Sequence, residues 1–345
     1  MNAPEPSHSG YPADLDDPEP APPPGMSAPG VEDFVRQIKE TADKLLRDGA
    51  SRGDVKLLST ALKELRYCLK VFSAYRRRRK VTVFGSARTR PDHPTFKAAA
   101  EFGARMVAEG FMVITGAASG IMEAGHLGAG AANSIGINIM LPFEQSANPV
   151  IANDPKLMHL KYFFTRKLLF VKETDAVVLF PGGFGTLDEG FEALTLVQTG
   201  KSHMFPIVLV DEPGGDYWQR LVDFIEGVLL KRGFISPADK CLYRLTDSVE
   251  DAVREVTSFY RVYHSMRYIK DTLVLRLQRR ISEATLDEIR REFADIVVRG
   301  TFELTEAHPH EANEAHLQQL PRLRFHFDRH GLGRLRLLID RINQD

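Results

Sequence analysis

Short apolar runs alternate with helical patterns over most of the chain between residues 81 and 265. The runs that resemble strands are Val81–Phe84, Phe111–Thr115, Ile135–Met140, Ala176–Phe180, Pro206–Val210 and, more weakly, Cys241–Leu245. Helical patterns occupy about 94–109, 119–132, 162–173, 186–200, 215–231 and 248–265. Strands that lack polar alternation are typical of a parallel sheet covered by helices on both faces. The alternation therefore predicts an α/β fold with a doubly wound, Rossmann-like parallel sheet.

The segments on either side of this region have different patterns. Residues 1–30 contain nine of the twenty prolines and no lysine or arginine, which predicts a disordered acidic tail. Residues 31–79 show two helical patterns, and residues 80–267 hold the main domain. Residues 268–345 predict a small α+β appendage in the order β-α-β-β-α, with strands at 272–277, 301–304 and 322–327 and helices at 284–298 and 332–342.

The composition excludes several classes of protein. A formal net charge of −1 argues against a general nucleic-acid-coating protein. Cys68 and Cys241 lie too far apart in sequence for a disulfide framework or a metal knuckle, and His308, His310 and His316 fit a polar loop better than a metal site. No apolar run approaches the roughly 18 residues of a membrane span, and no secretion signal is recognised. We therefore expect a cytoplasmic protein.

A basic block, Arg76–Lys80, ends the second N-terminal helical pattern. Cations near a helix C-terminus are favoured by the helix dipole, so a solvated helix end is one interpretation. A phosphate ligand or an acidic partner surface would also attract these charges. Binding of nucleic acid is disfavoured, because no aromatic residues are interleaved with the basic ones.

Three glycine-containing turns follow predicted strands, at Gly85–Arg88, Thr115–Gly120 and Pro181–Glu189. The carboxyl ends of parallel strands lie at one edge of a sheet, and ligands bind beyond that edge. The third turn joins an apolar strand to a helix, an arrangement in which backbone N–H groups and the positive helix end converge on an anion. A tight turn without a ligand is the alternative, but the nine-residue string favours a phosphate site with the carboxylate of Glu189 nearby.

The string Pro181–Glu189 resembles the PGGxGTxxE signature of the LOG ("lonely guy") phosphoribohydrolases, which were long mislabelled lysine decarboxylases. Phe163–Lys167 resembles the second family motif, MxxRK, with Phe163 in place of methionine. Gly120–Ala124 and Phe84–Ala87 also resemble family segments, and the terminal extensions are similar to those of the longer bacterial branch. The resemblance covers about residues 80–260.

The resemblance implies a nucleotide-binding catalytic domain that hydrolyses the N-glycosidic bond of a nucleoside 5′-monophosphate, without metal or cofactor. Glu189 and Arg166 would be catalytic, with Arg166 orienting the carboxylate, keeping it ionised or touching the phosphate. The implied phosphate-binding residues are Gly182, Gly183, Phe184, Gly185 and Thr186. Further candidates for substrate contact are Lys167, Ser86, Arg88, Gly116, Gly120, Glu123 and Thr195. Glu123 and Asp188 are candidates for a general acid, and a packing role for Thr195 stays open.

Competing functions make different demands on the residues. A pyridoxal-dependent decarboxylase needs a Schiff-base lysine with an acidic partner for the pyridine nitrogen, and neither Lys167 nor Lys201 has such a setting. A non-catalytic nucleotide-binding or cofactor-carrier protein would keep the phosphate loop without needing Glu189. The expected substrate is AMP or an N6-modified AMP such as a cytokinin riboside monophosphate, although the base is left open. The expected assembly is a homo-oligomer, and binding to a membrane is not expected.

Overall fold

The structure, a computed structural model, describes residues 30–140, 146–311 and 314–345. The tail predicted over residues 1–30 lies outside the described residues except for Gly30. Among the described helices, none is long and apolar enough to cross a membrane.

Within those ranges, seven parallel strands form the main sheet. They are β1 (Lys80–Phe84), β2 (Met112–Thr115), β3 (Ser134–Ile139), β4 (Leu157–Leu160), β5 (Ala176–Leu179), β6 (Ile207–Val210) and β7 (Arg244–Thr246). Their spatial order is β4-β3-β2-β1-β5-β6-β7, so the winding reverses between β1 and β5. Ligands of doubly wound sheets bind at such a reversal, outside the carboxyl ends of the strands. The predicted fold class is confirmed.

The helices between and after the strands cover this sheet, and two more helices precede it in sequence. They are α1 (Val31–Arg47), α2 (Arg52–Ser73), α3 (Pro94–Ala108), α4 (Ile121–Ala129), α5 (Phe163–Glu173), α6 (Phe184–Gln198), α7 (Tyr217–Phe224) and α8 (Val249–Phe259). A π-helical turn, Ile225–Leu230, extends α7. Helices α3, α4 and α8 pack together, and α2 packs against α5.

Three sequence expectations for the main domain need correction. The strand β4 was not predicted, because four residues at the sheet edge that include His159 give a weak apolar signal. The strand expected at Cys241–Leu245 is instead a 3-10 helix, Pro237–Leu242, followed by β7. Helix α6 begins at Phe184 rather than near residue 186, so part of the glycine string belongs to its first turn.

The C-terminal part contains a second, antiparallel sheet of four strands within the described residues. The strands β8 (Tyr263–Ile269), β9 (Thr272–Leu277), β10 (Val297–Thr305) and β11 (Arg322–Phe327) lie in the order β10-β11-β9-β8, with helices α9 (Glu283–Glu292) and α10 (Leu332–Asn343). The expected helix to residue 265 is wrong, because α8 ends at Phe259 and the next segment pairs with β9. The order is therefore β-β-α-β-β-α rather than β-α-β-β-α.

The two sheets share one hydrophobic core. Buried side chains form a continuous cluster that runs from Val83 in β1 through Phe259 and Tyr263 to Leu275 in β9 and Leu338 in α10. The boundary predicted at 267/268 falls inside β8, so we propose that the C-terminal unit begins with that strand. The N-terminal helices and the main domain remain proposed units of their own.

Candidate functional site

Ser86, directly after β1, joins the three turns at the carboxyl edge of the main sheet. Its amide donates to the Pro181 carbonyl at 3.0 Å, and its carbonyl accepts from the Ile121 amide at 3.0 Å. Its hydroxyl accepts from the Arg88 amide at 3.1 Å. The turns after β1, β2 and β5 are therefore held together by backbone hydrogen bonds at the point where the winding reverses.

Two glycines allow this close approach. Gly120 has φ +68°, and a Cβ there would lie 2.3 Å from the Ser86 carbonyl oxygen. A Cβ on Gly182 would lie 2.1 Å from the Thr186 hydroxyl and 2.9 Å from the Ser86 amide nitrogen. Neither position accepts a side chain without moving backbone, so the glycines are required by the packing of the turns themselves.

The start of α6 is open to a ligand. Gly183 is its N-cap residue and provides no side-chain cap, so the first amides of the helix keep their hydrogen-bonding capacity. A Cβ at Gly183 or Gly185 would meet nothing within 4 Å, which leaves space in front of those amides. Thr186 is buried, whereas the Phe184 side chain is 93% exposed. The five residues predicted to bind phosphate, 182–186, thus form a helix start that fits a phosphate.

Glu189 lies on α6 beside two cations from α5. Its Oε1 is 3.5 Å from Nη2 of Arg166, and its Oε2 is 3.7 Å from Nζ of Lys167. Both contacts are longer than the roughly 2.7–2.9 Å of a tight charge-assisted hydrogen bond. The carboxylate is buried but retains capacity for another partner.

The pKa values follow from this placement. Burial raises the pKa of Glu189, and the charges of Lys167 and Arg166 oppose that effect without cancelling it. Burial lowers the pKa of Arg166, against the attraction of Glu189. For Lys167, burial acts to lower the pKa, but hydrogen bonds to Glu192 and Asp188 outweigh it and the pKa is raised. All three groups are therefore perturbed within one small cluster, as is common at functional sites.

Arg166 is clamped between apolar and polar neighbours. Its guanidinium carbon lies 5.0 Å from the centre of the Phe163 ring and 5.7 Å from that of Phe170. Its Nε is buried and has no hydrogen-bond acceptor among the described residues. A Cβ on Gly116 would come within 3.9 Å of its Nη1, which places the turn after β2 next to the guanidinium.

The remaining predicted residues differ in how close they lie to the Glu189 cluster and the start of α6. Lys167 contacts Asp188 at 2.9 Å and Glu192 at 2.5 Å, so Asp188 is an ion-pair partner at the rim of the cluster. Glu123 is half-buried in the first turn of α4, while Arg88 is exposed. Thr195 is exposed and lies about 13 Å along α6 from Thr186, so the structure brings it neither to the helix start nor into the core.

Several supporting residues escaped the sequence analysis. The Tyr217 hydroxyl donates to the Gly182 carbonyl at 2.6 Å and holds the turn after β5. The turn after β2 contains Ala117 at φ +58°, an uncommon conformation for alanine that is held by hydrogen bonds from Asn148 to the carbonyls of Ala117 and Ala118. No local pattern marks Tyr217 or Asn148, because each acts on a turn about thirty residues away in sequence.

His126 supports the turn after β2 through side-chain contacts. It is fully buried in α4, its Nδ1 lies 3.2 Å from the Asn148 side chain, and its Nε2 lies 3.1 Å from the Thr115 hydroxyl. Burial lowers its pKa to about 4, so the imidazole is neutral at physiological pH. It therefore supports the turn rather than the chemistry.

The basic block is largely used inside the molecule. Arg78 donates to Asn133, and Arg79 pairs with Asp175 at 3.0 Å while its guanidinium covers the Tyr260 ring. Lys80 is buried in β1. Intramolecular contacts thus engage Arg78, Arg79 and Lys80, the last through Glu173 at 3.9 Å. Across the described ranges, no group of three or more potential metal ligands is present.

Comparison with known proteins places these features in a family context. Residues 114–256 match the family model described as "possible lysine decarboxylase". Over 162 residues the chain is 33% identical to the cytokinin riboside 5′-monophosphate phosphoribohydrolase of Mycobacterium tuberculosis, covering 45% of this chain and 82% of that protein. It is 33% identical over 94 residues to the Arabidopsis thaliana phosphoribohydrolase LOG1, covering 27% of this chain and 42% of that protein. A solved structure, the molybdenum cofactor binding protein of Rippkaea orientalis, is similar with 22% identity and a TM-score of 0.37, covering 53% of this chain and 97% of that one.

Proposed function

The chain belongs to the family of cytokinin riboside 5′-monophosphate phosphoribohydrolases, and on that premise we propose that it is a hydrolase of nucleoside 5′-monophosphates. It cleaves the N-glycosidic bond to give the free base and ribose 5-phosphate. The substrate is AMP or an N6-modified AMP, in line with the cytokinin riboside monophosphate named for the relatives. One observation carries the proposal: an uncapped helix start and a buried, loosely paired carboxylate lie on the same helix, α6.

The geometry suggests a role for each group. The amides at Gly183–Gly185 and the Thr186 hydroxyl bind the 5′-phosphate, which directs the ribose along α6. Glu189 lies five residues beyond Phe184, about 7.5 Å along the helix axis, and so faces the sugar rather than the phosphate. Binding energy from the phosphate can then position the reacting carbon beside the carboxylate.

The chemical step breaks the bond between C1′ and the base nitrogen. The electron pair leaves with the base, which must gain a proton, and a water oxygen adds to C1′ and gives up a proton. Glu189 stabilises the positive charge that develops on the ribose or steers the attacking water. Arg166 and Lys167 oppose the effect of burial on the Glu189 pKa and so favour the ionised form that this role requires.

A product screen tests this proposal. The purified chain is incubated with AMP, N6-prenylated AMP and the other common nucleoside monophosphates, and free base and ribose 5-phosphate are quantified by chromatography. We expect release from at least one purine monophosphate by the wild type and not by Glu189→Gln. A chain that binds AMP tightly and releases no base from any nucleotide would instead be the nucleotide carrier considered above.

We also propose that the chain forms a homo-oligomer through α1. No side chain of α1 is buried by any part of the chain that the structure describes, and Phe34, Ile38 and Leu46 are 67%, 49% and 80% exposed. Most of the stability of a helix in a protein comes from the packing of its apolar face, so the exposed face of α1 needs a partner. The helix carries four acidic and four basic residues. That neutral balance suits a second copy better than an anionic membrane, which selects Lys- and Arg-rich helices.

Light scattering tests the assembly. We expect the wild type to elute as a dimer or larger species, and Phe34→Asp with Ile38→Asp to shift it to a smaller one. A wild type that is monomeric at micromolar concentration would contradict the proposal.

We further propose a reducing compartment such as the cytoplasm, in line with Cys68 and Cys241 both being free.

A further inference from the structure

The carboxylate of Glu64, on the N-terminal helix α2, anchors the start of α5. Its Oε1 accepts a hydrogen bond from the Lys161 amide at 2.7 Å, and its Oε2 accepts one from the Thr165 hydroxyl at 2.7 Å. Lys161 precedes Tyr162, the N-cap residue of α5, and Thr165 lies in the first turn of the helix. A negative charge at this position is also favoured by the helix dipole. Glu64 therefore holds the chain on both sides of the N-cap residue, although it lies 97 residues before Lys161.

This contact fixes the turn from which the two cations of the site project. Thr165 is completely buried, and its hydroxyl oxygen also lies 2.9 Å from the Tyr162 carbonyl oxygen, so the two acceptors share its single proton. Arg166 and Lys167 are the next two residues of α5. Any rotation or shift of the first turn of α5 would change the distances from these cations to Glu189.

The start of α5 differs from the start of α6 in what it contacts. Both helices begin at the carboxyl edge of the same sheet, and neither has a side-chain cap from its own N-cap residue. A carboxylate of the chain itself holds the residues on either side of the α5 N-cap, whereas the α6 start faces open space at Gly183 and Gly185. The first start is thus anchored to α2, and the second is left for the phosphate.

We propose that Glu64 is a positioning residue for the hydrolysis, through which the N-terminal helix α2 holds Arg166 in register with Glu189. The inference rests on the proposed function. Misplacing a catalytic group by about 1 Å can cost on the order of 100-fold in rate, so the loss of this anchor has a measurable effect on kcat. The phosphate-binding turn does not contact Glu64, and ground-state binding should be preserved.

Steady-state kinetics on the full chain test the inference. For Glu64→Ala we expect kcat to fall by about tenfold, with KM for the nucleotide changed less than about twofold, because the α5 start loses its anchor to α2 while the phosphate site is intact. Glu64→Gln should recover most of kcat, since its carbonyl can accept from Lys161 and its amide can donate to Thr165. Lys63→Ala, an exposed neighbour on α2, is the matched control and should behave as wild type.

A double mutant separates positioning from simple destabilisation. If Glu64 acts through Arg166, Glu64→Ala should reduce kcat further by less than about twofold in an Arg166→Ala background, because interacting residues are non-additive. Dividing kcat by the concentration of ribose 5-phosphate binding sites removes any effect of unfolded protein. A destabilised but correctly positioned variant would then regain wild-type kcat.

The outcomes distinguish this inference from the proposed function. An active wild type whose Glu64→Ala variant keeps its kcat per binding site, or loses the same factor in the Arg166→Ala background, would overturn the positioning role alone. A wild type that releases no base from any nucleotide would overturn the proposed function and this inference with it.

Discussion

Two buried carboxylates, Glu189 at the edge of the main sheet and Glu311 in the C-terminal unit, are both held by cations but in different ways. The cations nearest to Glu189 stand at 3.5 and 3.7 Å, whereas those that contact Glu311 donate at 2.9 and 3.2 Å. Burial raises the pKa of Glu189 against its cations. The pKa of Glu311 is lowered although burial acts to raise it. Loose pairing leaves Glu189 able to act on a ligand, while tight pairing commits Glu311 to structure.

The surroundings of Glu311 explain its lowered pKa. It accepts from the His308 amide at 3.0 Å and from the guanidinium groups of Arg322 and Arg276, and these bonds outweigh the effect of burial. Arg276 and Arg322 belong to neighbouring strands, β9 and β11. The carboxylate therefore ties the segment between β10 and β11 to the sheet beneath it.

The largest expected effect is a loss of kcat on substitution of Glu189 but not of Glu311. Glu189→Gln should lower kcat by about 10³-fold, because a neutral amide cannot stabilise the charge that develops on the ribose. Its melting temperature should be unchanged or slightly raised, since the raised pKa shows that the ionised carboxylate is disfavoured in the folded state. The same exchange at Glu311 should leave the kcat of the folded protein unaltered. Equal losses of kcat in both variants would contradict the distinction.

The second prediction concerns stability. Glu311→Gln should lower the free energy of unfolding by about 3 kcal/mol, because it takes from the buried Arg322 guanidinium the carboxylate that it contacts and removes one carboxylate from Arg276, which also pairs with Glu314. Urea denaturation at pH 7 measures this loss. Glu303→Gln, which breaks an exposed pair with Arg324, is the control and should cost less than about 1 kcal/mol.

The stability that Glu311 contributes should be lost as the pH falls. Because the folded-state pKa of Glu311 is lowered, its stabilisation is present above the ordinary glutamate value of about 4.3 and is lost as the pH falls towards the folded value. The wild type should therefore lose stability below that pH more steeply than Glu311→Gln. Parallel curves for the two proteins would show that the carboxylate is not held as described.

A third, smaller effect tests the electrostatics of Glu189 alone. Because its pKa is raised, the acid limb of the rate profile should lie above the pH of an ordinary glutamate. Lys167→Met removes a cation that opposes this rise, so the limb should move to higher pH by about one unit. Lys172→Met is the control on the same helix, because Lys172 pairs with Glu173 instead. A limb that stays in place would exclude coupling between Lys167 and Glu189.

Much of the site could be predicted from local sequence, because parallel strands deliver their following turns to one edge. The turns after β1, β2 and β5 do meet, and α5 and α6 bring Arg166 and Glu189 together as the motifs suggest. Their roles in substrate binding and catalysis stay predictions. Two strands were harder to predict, since β4 has little apolar contrast and β8 continues the pattern of the helix before it.

Other parts of the site depend on contacts between distant residues, which no local pattern reveals. Glu64 anchors the start of a helix through Lys161, 97 residues later in the chain. The pKa of Glu311 is lowered by arginines on strands that lie on both sides of it in sequence. Both acids look like ordinary charged residues in the sequence. Their functions come from the tertiary packing that buries them next to specific donors.

The smallest expected effect tests how far the phosphate turn depends on support from outside the motif. Tyr217→Phe removes the hydrogen bond to the Gly182 carbonyl and should weaken binding of ribose 5-phosphate by about threefold, the loss expected for one neutral hydrogen bond. Isothermal titration measures this change. Tyr243→Phe is a matched control, because the Tyr243 hydroxyl is buried without a partner among the described residues, and its removal should not weaken binding. If both variants bind as wild type, the turn after β5 is held by Ser86 and Thr186 alone, and the phosphate site would be as self-contained as the motif that marks it.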